Sequence, residues 1–134
     1  MHDGQGLVWL RKCGVELAWI SGRGSPATKR RAEELGVEFL RLGCRNKRAA
    51  LEEIQRELGI DRERTAAMGD DLPDLALRAG SGFFAVPSDA RPELREVADH
   101  LCRQPGGRGA VREVCELLLR VRGQWQAIRS AASR

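Results

Sequence analysis

The chain has 134 residues and a formal net charge of +4, with 42% hydrophobic and 31% charged residues. This length and composition are typical of one globular domain with its own hydrophobic core, so stability requires neither disulfides nor a structural metal. They exclude a transmembrane helix, because no apolar run approaches 18 residues, and the 4% of aromatic residues, without a tyrosine, argues against a nucleic-acid-binding surface.

The first half of the chain alternates short apolar runs with amphipathic stretches. A strand is predicted over residues 15–20. A helix follows it, because Ser25 is a typical N-cap, Pro26 suits the first helical position and Gly36 follows its end. The next predicted elements are a strand over residues 37–42 and a helix over residues 47–58, which Asn46 caps and Gly59 ends.

The second half continues the same alternation. Its predicted elements are a buried strand over residues 65–68, a helix over 72–79, a strand over 83–86, a helix over 92–98, a short edge strand over 100–103, a glycine-rich loop over 104–109 and a helix from 110 to about 122. Strands and helices that alternate with short connections predict βαβ units, and therefore a parallel α/β sheet covered by helices on both faces.

The basic excess lies at the C-terminal end of the sequence. From residue 118 onward the chain carries four arginines and no acid, so residues 1–117 are formally neutral. We predict a single domain over residues 1–125, followed by a frayed basic tail over residues 126–134.

Polar residues follow three successive predicted strands. Ser21, Gly22 and Arg23 follow the first, Lys47 opens the helix after the second, and Asp70 and Asp71 follow the third. In a parallel sheet, ligands bind at the carboxyl ends of strands. A hydroxyl with nearby backbone N–H groups suits a phosphate, a lysine neutralises the same phosphate, and paired carboxylates suit Mg²⁺. The sequence therefore predicts a phosphate and magnesium site at one edge of the sheet.

Each of these signals also has a purely structural explanation. A Ser-Gly pair is typical of a turn, and a lysine that opens a helix is usually solvated. Asp71 is a suitable helix cap, and Asp74 favours the dipole at the same helix N-terminus. The order of serine, lysine and paired aspartates at successive strand ends favours the functional interpretation.

Specific motifs resemble those of the haloacid dehalogenase-like phosphatases. They are ISGR at residues 20–23, Lys47 and GDDLPDL at residues 69–75. The runs DGQGL at residues 3–7 and GGRGAVREVCELLL at residues 106–119 resemble the small capless 3-deoxy-D-manno-octulosonate 8-phosphate phosphatase family in particular. The resemblance spans about residues 3–125. It implies a Rossmann-like three-layer α/β/α fold and Mg²⁺-dependent hydrolysis of a phosphorylated keto-sugar in lipopolysaccharide sugar synthesis.

The resemblance also implies roles for individual residues. Ser21 would hydrogen-bond the transferring phosphoryl group, Lys47 would neutralise it, Asp70 would ligate Mg²⁺ and Asp71 would support the metal's ligand shell. The remaining residues implied on the substrate side are Asp3, Gly4, Gly22, Arg23, Gly106, Gly107 and Arg108. The last three would reach the active site of a neighbouring subunit in a homotetramer; a plain connection between strand and helix is the alternative for that segment.

One part of the family pattern is missing from this sequence. The family begins with a strand that ends in Asp-x-Asp-Gly, whose first aspartate is the nucleophile and whose second is the general acid/base. Here only Asp3 and Glu16 precede Ser21 as carboxylates, so we expect the sheet to lack a central strand and the chain alone to be inactive. Three explanations stay open: a gene start assigned too late, a truncated fragment, and a non-catalytic pseudo-phosphatase or assembly subunit. A nonulosonate 9-phosphate is the alternative substrate.

The cysteines indicate a reducing compartment. Cys13, Cys44, Cys102 and Cys115 include no Cys-x-x-Cys pair and only two histidines accompany them, which favours reduced thiols over a zinc site. The first twelve residues lack the apolar region of a signal peptide. We therefore expect a cytoplasmic location, with neither a membrane nor nucleic acid as a partner.

Overall fold

The computed structural model of the protein describes residues 2–133, over which seven α-helices and five short strands alternate. The helices are α1 (His2–Lys12), α2 (Pro26–Leu35), α3 (Lys47–Leu58), α4 (Leu75–Ala79), α5 (Pro92–Val97), α6 (Ala110–Val121) and α7 (Trp125–Ala132). The strands are β1 (Ala18–Ile20), β2 (Phe39–Arg41), β3 (Ala66–Met68), β4 (Phe83–Val86) and β5 (His100–Leu101). The order confirms the predicted α/β alternation.

Capping residues define the helices that the sequence predicts most clearly. The Ser25 side chain accepts a hydrogen bond from the Thr28 N–H, and Gly36 ends α2 in the left-handed conformation at φ +76°. The Asn46 side chain accepts from the Ala49 N–H at the start of α3. Because these caps satisfy backbone groups that the helix itself leaves unpaired, the boundaries of α2 and α3 follow from local sequence.

The five strands form two parallel sheets rather than one. In the first sheet β1 pairs with β2, with Trp19 opposite Leu40. In the second, β4 lies between β3 and β5, with Ala67 opposite Phe84. Within residues 2–133, β1 and β3 each pair with a single strand, and both line one largely apolar cavity of about 500 Å³. The predicted parallel sheet is therefore present but interrupted between β1 and β3.

Buried apolar side chains form three clusters around these sheets. They are Leu10, Leu17, Cys115 and Leu119; Phe84, Val86, Ala90 and Leu94; and Ala85, Cys102, Ala110 and Val114. The first cluster joins α1 to α6, and the other two hold β4 between helices. The most deeply buried strand, β4, lies at the centre of the second sheet.

Helices occupy both ends of the described chain, which the sequence analysis did not predict. In α1 a Cβ at Gly6 would lie 2.8 Å from the Cys115 Cβ, so the missing side chain lets α1 approach α6. The segment over residues 126–134, predicted to be frayed, is helical as far as Ala132. This helix, α7, packs against α1, where the Trp125 ring meets the Trp9 ring edge-on with the ring centroids 5.8 Å apart. Met1 and Arg134 lie outside the described residues.

None of the described helices is both long and apolar enough to cross a lipid bilayer.

Candidate active site

A polar cleft of about 820 Å³ lies where the loops after β1, β2, β3 and β4 meet. It is lined by Ser21, Gly22, Arg23, Cys44, Arg45, Lys47, Asp70, Asp71, Pro73, Asp74, Asp89, Ala90, Arg91 and Pro92. The residues predicted at three successive strand ends therefore meet in one cleft. This juxtaposition arises because parallel strands direct their carboxyl ends to the same edge.

Ser21 joins the ends of β1 and β2 at the cleft. Its N–H donates to the Arg41 carbonyl at 2.9 Å, and its own carbonyl accepts from the Cys44 N–H at 2.9 Å. The Ser21 Oγ accepts from the Arg23 N–H at 3.1 Å. These contacts fix the hydroxyl at the cleft and leave its proton available to donate to an oxygen of a ligand.

Lys47 and Asp74 form a close ion pair inside the cleft. The Lys47 Nζ lies 2.6 Å from the Asp74 Oδ1, and the two side chains are only 13% and 10% exposed. The Asp74 Oδ2 accepts from the N–H groups of Asp70, at 3.0 Å, and Asp71, at 3.3 Å. Asp74 thus links the loop after β3 to the start of α3. The sequence analysis expected only a favourable interaction of Asp74 with a helix dipole.

Gly69 makes this loop geometry sterically allowed. A Cβ at Gly69 would lie 2.3 Å from the Cβ and 2.8 Å from the Oδ2 of Asp74. Real side chains do not approach so closely, so only glycine lets Asp74 fold back beneath the strand exit.

The carboxylates of Asp70 and Asp71 complete the acidic side of the cleft. Burial and the neighbouring charges of Asp74 and Asp71 raise the pKa of Asp70 above its ordinary value. The Asp71 Oδ1 accepts from the Leu72 N–H at 2.7 Å, so the capping role that the sequence left open is present. Oxygen ligands suit Mg²⁺, and a cation here would offset the repulsion that raises the Asp70 pKa. The donor set therefore fits a magnesium ion.

Three charged residues of the cleft escaped the sequence analysis. Arg45 precedes α3, whereas Asp89 and Arg91 follow β4, and the Arg91 N–H donates to the Asp70 carbonyl at 3.1 Å. The position of Asp89 and Arg91 after the fourth predicted strand could have identified them, because residues that follow parallel strands lie at the same edge of the sheet. Among residues 2–133, the guanidinium groups of Arg23 and Arg45 have no side-chain partner.

Asp3 and Gly4 do not form the substrate-side turn that the resemblance implies. Both lie in the first turn of α1, and neither lines the cleft. The Asp3 carboxylate accepts from the Arg112 N–H at 3.1 Å, in the first turn of α6. Gly4 faces α2, where a Cβ would lie 2.4 Å from Arg31 Nη2. Both residues therefore have structural roles. Asp3 places a negative charge at the N-terminus of α6, and Gly4 lets α1 approach α2.

The glycine-rich segment contacts the rim of the cleft of its own chain. The Gly106 N–H donates to the Asp89 Oδ1 at 2.8 Å, and Gly107 and Gly109 take positive φ values of +76° and +115°. Asp89 therefore links this segment to the cleft. A role for Gly106, Gly107 and Arg108 in a neighbouring subunit stays a prediction.

A second group of potential metal ligands lies away from the cleft, on β5 and α6. The Glu113 carboxylate meets the His100 Nε2 at 2.8 Å and accepts from the Arg103 N–H at 2.9 Å. The Cys102 Sγ donates to the Ala110 carbonyl at 3.8 Å, and burial, followed by the Glu113 charge, raises its pKa to about 12. These hydrogen bonds account for the group without a metal ion.

Comparisons with known proteins show to which proteins the chain is similar. Residues 36–113 match the sequence model of a family described as haloacid dehalogenase-like hydrolase. The 3-deoxy-D-manno-octulosonate 8-phosphate phosphatase of Escherichia coli K12 is 38% identical over 92% of this chain and 66% of its own length. The corresponding enzyme of Haemophilus influenzae is 33% identical over 92% of this chain and 69% of its own length.

A solved structure gives the same relationship in three dimensions. The phosphatase of this name from Moraxella catarrhalis, in complex with magnesium, phosphate and 3-deoxy-D-manno-octulosonate, superposes with a TM-score of 0.94 at 39% identity. The match covers 97% of this chain and 75% of that one. The chain therefore belongs to the haloacid dehalogenase-like hydrolases, in the branch that contains the 3-deoxy-D-manno-octulosonate 8-phosphate phosphatases.

Proposed function

We propose that this chain supplies the phosphate-binding and metal-binding part of a phosphomonoester hydrolase for 3-deoxy-D-manno-octulosonate 8-phosphate, in lipopolysaccharide sugar synthesis. The observation that carries the proposal is the Lys47–Asp74 pair, held at 2.6 Å in the cleft that Ser21 and Asp70 also line. A hydroxyl, an ammonium and carboxylates that converge on one cleft suit a phosphate monoester and its cation.

Each group has a separate task in this proposal. The Ser21 hydroxyl donates to a phosphoryl oxygen, and the Lys47 ammonium neutralises its charge. Asp74 orients that ammonium and holds the N–H groups of the metal loop. Asp70 would bind Mg²⁺ directly and Asp71 would support it; the ion, when bound, supplies charge neutralisation for the phosphoryl oxygens. Because these groups are fixed before the ligand arrives, binding requires little reorganisation.

The sugar part of the proposed substrate is inferred from the named relatives. The named relatives act on an eight-carbon keto-sugar acid phosphate, and Gly22, Arg23 and Arg45 line the same cleft as Ser21 and Lys47. A nonulosonate 9-phosphate carries the same acid and phosphate groups and is the second substrate candidate.

We infer that residues 1–134 bind phosphate without cleaving the ester. Covalent hydrolysis needs one carboxylate in line with the phosphorus and a second one to protonate the leaving oxygen. In the cleft, Asp74 is paired with Lys47, Asp71 caps the turn that follows it, and Asp89 accepts from the Gly106 N–H. These three are therefore already engaged, and Asp70 is assigned to the metal in this proposal.

Phosphate release and phosphate binding test the two parts of this proposal separately. We expect no release from 3-deoxy-D-manno-octulosonate 8-phosphate with Mg²⁺, and saturable phosphate binding by calorimetry. Lys47→Met should abolish that binding, whereas Lys29→Met, which removes an exposed lysine of α2, should leave it unchanged. EDTA-sensitive turnover by the chain alone would contradict the inferred inactivity. Absence of phosphate binding would favour the non-catalytic assembly role.

Assembly and location complete the proposal. We propose a cytoplasmic homotetramer, in which Gly106, Gly107 and Arg108 reach a neighbouring cleft. The free thiols of Cys13, Cys44, Cys102 and Cys115 support a reducing compartment. Sedimentation equilibrium tests the oligomeric state, and a monomer at micromolar concentration would contradict it.

A further inference from the structure

Three side chains on β5 and α6 form a mixed group of potential ligands away from the cleft. A ring nitrogen of His100, the Cys102 Sγ and a carboxylate oxygen of Glu113 all lie within 4.8 Å of one another. We propose that this His-Cys-Glu group binds a thiophilic divalent cation of the zinc type. The proposal is independent of the proposed function, because none of the three residues lines the cleft.

The strand geometry of β5 brings two of the ligands to one face. Successive side chains of a strand point to opposite faces, so His100 and Cys102 share a face, while Leu101 points the other way and is half exposed. The Cys102 N–H donates to the Val86 carbonyl at 2.9 Å, so the extended pairing continues through Cys102. Glu113 lies in the first turn of α6 and supplies the third ligand. Only the fold brings it to the other two, eleven positions after Cys102 in the sequence.

The separations within the group suit a tetrahedral ion after a small adjustment. Zn²⁺ binds nitrogen and oxygen at about 2.0–2.2 Å and sulfur at about 2.3 Å, so tetrahedral ligand atoms lie about 3.3–3.7 Å apart. Here the His100 Nε2 is 2.8 Å from the Glu113 Oε2, and no pair of ligand atoms exceeds 4.8 Å. An ion therefore requires shifts of less than about 1 Å in each ligand atom.

Surrounding contacts hold two of the ligands in place before an ion arrives. The Glu113 Oε1 accepts from the N–H groups of Arg103, at 2.9 Å, and Gln104, at 3.3 Å, which leaves Oε2 directed at His100. The His100 ring lies against the Phe83 ring, with centroids 6.4 Å apart. Such outer contacts orient metal ligands and increase affinity.

The charge balance of the group also favours a divalent cation. The hydrogen bonds described above account for the metal-free state, in which burial and the Glu113 charge raise the pKa of the Cys102 thiol to about 12. A cation between the two groups would offset that charge and bind the sulfur as a thiolate, with one proton released to solvent per ion. Thiolate, carboxylate and a neutral imidazole then balance the two positive charges.

The ligand types distinguish this site from the magnesium site of the cleft. Mg²⁺ takes oxygen ligands in octahedral geometry, whereas sulfur with imidazole selects zinc-like ions. The Cys102 residue is 2% exposed, but the side chains of His100 and Glu113 are 30% and 23% exposed. The group is therefore in contact with solvent, and water can supply the fourth ligand of a tetrahedral ion.

Cobalt titration tests the site on the 134-residue chain, with excess Mg²⁺ present to occupy the cleft. We expect one Co²⁺ per chain to produce a thiolate-to-cobalt charge-transfer band in the near ultraviolet, and Zn²⁺ to abolish that band by displacing cobalt. Cys102→Ala should abolish the band, and His100→Gln should weaken cobalt binding at least about ten-fold. Cys44→Ser is the matched control, because Cys44 lines the cleft, and it should keep the band.

Two results would overturn the proposal. One is the absence of a thiolate band in wild type that circular dichroism shows to be folded. The other is a band that Cys44→Ser removes and Cys102→Ala keeps, which would place the cobalt in the cleft. His100→Gln decides the assignment if Cys102→Ala does not fold, because His100 is partly exposed. A cobalt band without any phosphate binding would support this site and contradict the proposed function.

Discussion

Gly69 and Asp74 show how one absent side chain determines the geometry of the cleft. Asp74 accepts the N–H groups of Asp70 and Asp71 only because it lies against the backbone of Gly69. The motif at residues 69–75 includes Gly69, but the sequence does not show that Asp74 is the reason why glycine is needed there. Lys47 and Asp74 are 27 positions apart, so their ion pair has no local sequence signal.

We expect Gly69→Ala to destabilise the protein by about 1–3 kcal/mol, as overpacking usually does. The new methyl group would push Asp74 away from its two N–H donors and from Lys47, so phosphate and Mg²⁺ binding should weaken together. Urea denaturation and calorimetry measure these effects. Gly24→Ala is the control, since its Cβ would meet the Leu42 Cβ at an ordinary 3.5 Å. A wild-type midpoint for Gly69→Ala would contradict the steric argument.

Asp70→Asn should weaken Mg²⁺ binding at least about ten-fold, which corresponds to about 1.4 kcal/mol. The variant should also be more stable than wild type at pH 7 without metal. Because the pKa of Asp70 is raised above its ordinary 3.8, the fold disfavours its ionised form. Ionisation therefore reduces stability as the pH rises through the folded-state pKa, and asparagine avoids this loss.

Thermal unfolding across pH measures the second effect. The stability difference between Asp70→Asn and wild type should be largest near pH 7 and vanish below about pH 3.8. The exposed Glu57→Gln, on α3, should alter neither stability nor metal affinity. Equal Mg²⁺ affinity in Asp70→Asn and wild type would remove Asp70 from the metal site.

At the scale of elements, local capping signals predicted α2 and α3, but the terminal helices required tertiary contacts. α1 contains Gly4 and Gly6, which lower helix propensity, and the sequence analysis predicted no helix there. The structure uses both glycines for close packing against α2 and α6. α7 escaped prediction because its stability depends on Trp125 meeting Trp9, 116 positions away in sequence.

Glu113 provides a test at the junction of β5 and α6. Burial by itself would raise its pKa, but hydrogen bonds from the His100 ring and from the N–H groups of Arg103 and Gln104 lower it below the ordinary 4.5. The ionised form is therefore stabilised by the fold. This contribution is present above pH 4.5 and is lost as the pH falls through the lower folded-state value.

We expect Glu113→Gln to lose about 1–2 kcal/mol of stability at neutral pH, as the loss of charge-assisted hydrogen bonds implies. The loss should shrink below pH 4.5. Glu116→Gln, one turn further along α6, removes a partly buried i,i+4 pair with Arg112 and should cost less than about 0.5 kcal/mol. Chemical denaturation at pH 7 and pH 4 measures both variants. A pH-independent loss in Glu113→Gln would contradict the assigned cause.

At the scale of the whole molecule, the interruption between β1 and β3 divides the fold into two sheets that lack a common hydrogen-bonded ladder. The first sheet has two strands and the second has three. Two-stranded sheets are marginal on their own, whereas a third strand with a buried face gives independent stability. The family motif led the sequence analysis to expect a sheet without its central strand, but the division of residues 2–133 into two sheets required coordinates.

Amide exchange should therefore distinguish the two sheets. We expect the amides of β4, whose residues are almost fully buried, to exchange at least about ten-fold more slowly than those of β1 and β2. Heteronuclear spectra in deuterated buffer provide the measurement, with the amides of α3 as an internal standard. Equal protection of all five strands would indicate one cooperative unit instead.

The edge-on contact of Trp9 and Trp125 also has an optical consequence. Indole rings whose centroids lie 5.8 Å apart at 70° couple their electronic transitions, and each ring carries a guanidinium, from Arg112 and Arg120, on its face. Trp19 stands apart from this pair, on β1. Circular dichroism of the coupled indoles therefore reports on the docking of α7 against α1. The signal needs no label, because both indoles belong to the chain itself.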